Sequence, residues 1–95
     1  MAGESGTGLL RGEVQGYDVD RMIVQFTMIN DGRVIPCAIS SAAMDAIDGG
    51  GDVKPDQRVD QFLRLRDVIE KRATIRFLES TPQSNRPVVL RSNDF

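Results

Sequence analysis

Apolar residues fall at every second position between Arg21 and Ile29, where Met22, Val24, Phe26 and Met28 share one face. That is the period of a half-buried strand. The alternation resumes with Ile35, Cys37 and Ile39, and Asp31-Gly32 stands between the two runs. Such a pair suits a type I′ turn, which needs φ > 0 at both central residues. A turn centred there sets Met28 opposite Ile35, Phe26 opposite Cys37 and Val24 opposite Ile39. All six then lie on one face, and a slip of one residue would carry a whole strand's apolar set to the other face. Pro36 falls opposite Thr27 at a non-hydrogen-bonded site, so its nitrogen points away from the second strand. The third strand is therefore expected to be an edge, or to end its outer pairing near Pro36.

Upstream, Leu9 to Tyr17 reads as a weaker strand in which Gly12 and Gly16 mark bulges. Asp18-Val19-Asp20 follows as a turn. Downstream, Ser40 suits an N-cap, Ser41 to Ile47 a short helix, and Gly49-Gly50-Gly51 its end. Pro55 fits the first turn of a second helix continuing to about Glu79, ~37 Å at ~1.5 Å per residue. Asp56 and Asp60 near its start, and Lys71, Arg72 and Arg76 near its end, agree with the macrodipole. Its apolar arc is Val59, Phe62, Leu65, Ile69, Ala73 and Phe77. Thr81 to Pro87 reads as a loop, and Val88-Val89-Leu90 as a last short strand. The order β-β-β-α-α-β predicts an α+β fold, an antiparallel sheet of three to four strands packed against one long and one short helix. Residues 9–95 form a single domain in this reading. Residues 1–8, with three glycines and little that can pack, form a flexible tail.

Composition narrows the chemistry. There is no histidine among the 95 residues. That removes the commonest general base and metal ligand, and with it Ser-His-Asp triads and Cys-His pairs. The single cysteine can form no internal disulfide and fits a reducing compartment. Four Phe, one Tyr and no Trp leave few stacking platforms for bases. No apolar run approaches the ~20 residues that span a bilayer, and the N-terminus lacks the pattern of a signal peptide. A cytoplasmic protein without membrane contact is expected. The net charge of −2 hides an asymmetry, with five basic and ten acidic side chains in residues 1–60 against seven and four in residues 61–95. The two halves are expected to face each other within the fold more readily than to meet a partner.

Several stretches together resemble a family of small bacterial proteins, domain of unknown function 1488. They are Tyr17-Asp18, Val24-Gln25-Phe26, Gly32-Arg-Val-Ile-Pro-Cys37, and Phe62 through Ala73 with Arg66 and Ile69. The resemblance runs from about Tyr17 to Phe95. It implies a compact α+β domain of bacterial origin, and it carries no reaction, ligand or catalytic residue. The glycine-rich segment before Leu9 is peculiar to this chain.

Arg66 falls inside the apolar arc, so its guanidinium must find a partner or reach out to water. A structural pair with a carboxylate or sheet carbonyls is favoured over a ligand contact. Arg58 and Arg76 share the arc near the helix ends, where reaching water is easy. Cys37 is expected in the core, as a small hydrophobe rather than a nucleophile. Asp45, Asp48, Asp52, Asp56 and Asp60 surround three glycines but match neither a calcium loop nor a phosphate loop, so they are read as solvated charges. Val68, Ile75 and Leu78 lie on the outer side of the long helix as a candidate partner surface.

These residues point to a non-catalytic interaction or regulatory module that binds an unknown protein or self-associates as a homodimer. No cofactor, metal or catalytic residue is expected. The alternative is a nucleic-acid accessory protein using Arg64, Arg66, Lys71, Arg72 and Arg76. The acidic balance and scarce aromatics disfavour nucleic acid. An enzyme is the weakest reading.

Overall fold

The computed structural model describes residues 9–50, 52–79 and 87–95. The expected tail lies outside them, as does nearly all of the 81–87 loop. Strands β1 (Leu10–Asp18), β2 (Ile23–Asn30) and β3 (Arg33–Ser40) form an antiparallel meander. Asp31 (φ 53°) and Gly32 (φ 77°) make the tight turn. Met28 pairs with Ile35, Phe26 with Cys37 and Val24 with Ile39, as the alternation requires. Ser40 Oγ accepts the Ala43 N–H at 3.1 Å and caps α1 (Ser41–Asp48), which Gly49 ends at φ 88°.

The structure revises four expectations. Met22 does not begin β2: it closes the turn in the left-handed region (φ 59°) and is exposed, its N–H donating to the Asp18 carbonyl at 2.7 Å. The long helix is divided into a 3₁₀ turn at Pro55–Gln57, α2 (Arg58–Arg64) and α3 (Arg66–Glu79). At Leu65 (φ −100°, ψ 7°) one N–H is shared by the Gln61 and Phe62 carbonyls, a tightening of the turn that ends α2. The sheet is mixed rather than antiparallel throughout, because β4 (Val88–Leu90) runs parallel to β3. Parallel neighbours need a long crossover, and the three helices supply it. Finally, among the described residues the ion pairs between the two halves run in both senses. Asp48–Arg64 sets acid from the first half against base from the second, whereas Arg11 reaches Asp67 and Glu70 in the opposite sense.

β4 pairs with Cys37–Ile39 only, so the outer pairing of β3 stops beside Pro36. Beyond β4 the chain closes with a 3₁₀ turn at Ser92–Asp94.

All the helices pack on one sheet face. Val24, Phe26, Met28, Cys37, Ile39, Val88 and Leu90 from the strands meet Ala43, Met44, Phe62, Ile69 and Ala73 from the helices. The Phe26 and Phe62 rings lie 4.8 Å apart at 48°. Among the described residues, no helix lies over the other sheet face.

Candidate functional site

The core leaves three polar or apolar features that could carry function, and each is built by a different local rule.

The first surrounds Arg66. In β1, residues 12 and 13 bulge opposite Thr27, which tightens the strand against β2. A β-carbon on Gly12 would collide with the Thr27 carbonyl and hydroxyl, so the bulge requires glycine there. Thr27 Oγ1 accepts the Glu13 N–H at 2.9 Å. The Gly12 carbonyl thereby faces α3 and accepts Arg66 Nη2 at 3.1 Å. Arg66 Nε donates to Glu70 Oε2 at 2.8 Å, one helical turn on, and its guanidinium sits 5.9 Å from the Phe62 ring centroid. Arg11 Nε donates to the other Glu70 oxygen at 2.9 Å and its Nη2 to Asp67 at 2.9 Å. Hydrogen bonding to Glu70 holds the Arg11 pKa above its ordinary value. The buried Glu70 carboxylate is thus clamped by two guanidiniums. Arg66 takes the structural pairing expected of it, with a carboxylate and a sheet carbonyl.

The second feature was not legible. Arg58, expected to reach water from a helix end, is 8% exposed. It donates to Asp45 Oδ1 and to Gln61 Oε1, each at 2.7 Å. Gln61 Nε2 in turn donates to Asp45 at 3.1 Å and Asp48 at 3.3 Å, and Arg64 pairs with Asp48 at 3.1 Å. The hydrogen bond from Arg58 pulls the Asp45 pKa below the usual carboxylate range, and that from Arg64 does so for Asp48. The hydrogen bond from Asp45 raises the Arg58 pKa. Two of the five acids read as solvated are therefore structural. The available signal was a matched spacing, Asp45-x-x-Asp48 on α1 against Arg58-x-x-Gln61-x-x-Arg64 on α2. Beside this ladder an open groove of about 250 Å³ is lined by Val53, Gln57, Asp60, Gln61 and Arg64.

The third feature is apolar surface. Val68 and Leu78 on α3 are 48% and 60% exposed, while Ile75 is half-buried. Lys71 and Arg72 share their side of the helix. Arg72 lies over the Phe95 ring at 5.9 Å.

Cys37 sits in the core as expected, its Sγ 3.5 Å from the Ile35 carbonyl. Burial pushes its pKa up to about 12, so the thiol is protonated at neutral pH. Among the described residues no group of His, Cys, Asp and Glu could hold a metal ion. No helix among them is long and apolar enough to cross a membrane.

Comparison with known proteins agrees with this architecture. The family pattern described as "Protein of unknown function (DUF1488)" matches residues 12–90, and the chain belongs to that family. A crystal structure of a DUF1488 protein of unknown function from Shewanella loihica PV-4 superposes with a TM-score of 0.65 at 19% identity. The match covers 88% of this chain and 92% of that one, and at this identity it shows the shared fold. A search of curated proteins finds no match.

Proposed function

We propose that this DUF1488 member is a non-catalytic protein-interaction or regulatory module, and that the exposed stripe on α3 is its docking surface. The observation that supports this is the pairing of Val68 and Leu78, both exposed, with the cations Lys71 and Arg72 on one helix face. An apolar stripe bordered by cations suits a protein segment whose apolar side chains are flanked by carboxylates. The ionic clusters around Glu70 and Asp45 are engaged in holding elements together, and the Cys37 thiol is buried and protonated. A buried lone thiol suits a reducing cytoplasm.

Nucleic-acid binding is the weaker reading. Of its five basic residues, Arg64, Arg66 and Arg76 pair with Asp48, Glu70 and Asp94. Lys71 and Arg72 remain for phosphate contacts.

The test is affinity capture with tagged protein from cell lysate at low and high salt, with bound protein and nucleic acid both identified. Val68→Asp is run in parallel. A protein retained at high salt by the native chain and lost with Val68→Asp supports the proposal. Nucleic acid that elutes as salt rises would replace it with the second reading. Folding of the variant is checked by its melting curve, because an exposed position tolerates the change within about 0.5 kcal/mol.

A further inference from the structure

The sheet face over which no helix lies among the described residues carries mainly apolar side chains. Side chains alternate across a strand, so Ile23, Gln25, Thr27 and Ile29 of β2 share this face with Val34, Pro36 and Ala38 of β3 and Val89 of β4. Leu10 joins them, paired with Ile29, which is itself paired with Val34. Leu10 is 64% and Val34 65% exposed. Thr27 and Ala38 are short and lie buried between taller neighbours. None of the eight positions on β2, β3 and β4 is charged.

We propose that a second copy of this chain packs on this face, sheet against sheet, as a reversible twofold dimer. Three observations select that occupant. First, the residues flanking the described segments are mostly small or polar. Residues 1–8 contain one large apolar side chain, Met1, and residues 80–86 read Ser-Thr-Pro-Gln-Ser-Asn-Arg. Second, a twofold interface sets each patch against an identical one. Only an uncharged centre escapes like-charge repulsion there, and this centre is uncharged, with the acids Glu13 and Asp18 set apart on the outer strand β1, Asp18 at its end beside Ile23. Third, pairing through strand edges is blunted. Pro36 removes a donor from the part of β3 that β4 leaves open, and β1 is bulged twice. The face is the remaining route for sheet-to-sheet association.

Strands of 9, 8, 8 and 3 residues, at ~3.3 Å per residue and ~4.8 Å apart, give a footprint on the order of 400 Å². Stable complexes bury ~800 Å² per partner, so the dimer belongs to the weak, concentration-dependent class. It uses neither the α3 stripe nor any partner proposed above, and the two readings stand or fall separately.

Sedimentation equilibrium over about 1 μM to about 1 mM, the range of weak complexes, tests it. The expected result is a rise from monomer to dimer mass and no further. Val34→Lys should shift the midpoint at least about tenfold to higher concentration, equivalent to about 1.4 kcal/mol. Val68→Asp should leave it unmoved. Leu10→Gln should weaken the dimer in the same direction, and serves if Val34→Lys does not fold. A monomer throughout, mass growing beyond a dimer, or indifference to both variants would overturn the proposal. So would a monomeric chain that captures a different protein through Val34.

Discussion

Arg58 Nη1 lies 2.7 Å from Asp45 Oδ1, joining the first turn of α2 to the middle of α1 across an interval of 13 residues. Gln61, 1% exposed, accepts from the same nitrogen and donates to the same carboxylate. The three side chains form a closed arrangement in which each buried polar group has a partner.

Removing Arg58 should therefore cost more than its helix position suggests. Arg58→Ala leaves the Gln61 carbonyl oxygen and part of Asp45 without a donor. Breaking a fully buried pair costs ~3–5 kcal/mol, and Asp45 keeps some water, so about 2–4 kcal/mol is expected from urea unfolding. A loss below about 0.5 kcal/mol would show that water replaces the guanidinium freely.

Acid should loosen the same junction. The folded pKa values of Asp45 and Asp48 lie below their unfolded values of ~3.9. Their contribution is present above that value and is lost as pH falls through the folded pKa, because the unfolded chain then binds more protons. Stability measured by thermal melts should fall as pH drops below about 4. The double variant Asp45→Asn, Asp48→Asn should start lower at neutral pH and show a shallower acid slope.

Base should act through Cys37. Its folded pKa, raised to about 12 by burial, exceeds the ~8.5 of a free thiol. The stability this gives is present below about 8.5 and is lost as pH rises toward the folded value. Cys37→Ala should flatten the alkaline decline while lowering overall stability, since it leaves a small cavity. Titration of the native protein with a thiol reagent at pH about 8 should be slow and become immediate on unfolding. Rapid reaction of the folded protein would contradict the burial.

The two glycines of β1 should differ. Gly12→Ala meets Thr27 and disturbs the carbonyl that holds Arg66, so about 2–3 kcal/mol of stability should be lost. Gly16→Ala meets nothing within 4 Å and carries only the strain of φ +133°, about 1–2 kcal/mol. Equal losses would mean that the bulge can relax around a side chain.

The amino-acid sequence by itself determined what short-range geometry controls. The β2–β3 register follows from period-two alternation and a turn that only Asp-Gly-like pairs accept comfortably. The Ser40 cap and the Gly49 stop follow from the backbone groups a helix end leaves open. The burial of Phe62, Ile69 and Ala73 follows from their common helical face, and Arg66 within that face announced its need for a partner. Tertiary structure alone decided the rest. The parallel docking of β4 depends on where α3 delivers the chain, and the division of the helix at Leu65 appears in no local breaker, since neither Gly nor Pro is there. Arg58 is buried because α1 brings Asp45 to it, and a wheel drawn on one helix contains no neighbouring helix. The open sheet face has the same origin: alternation shows that both faces of β2 and β3 carry apolar residues, and only packing determines which one the helices cover.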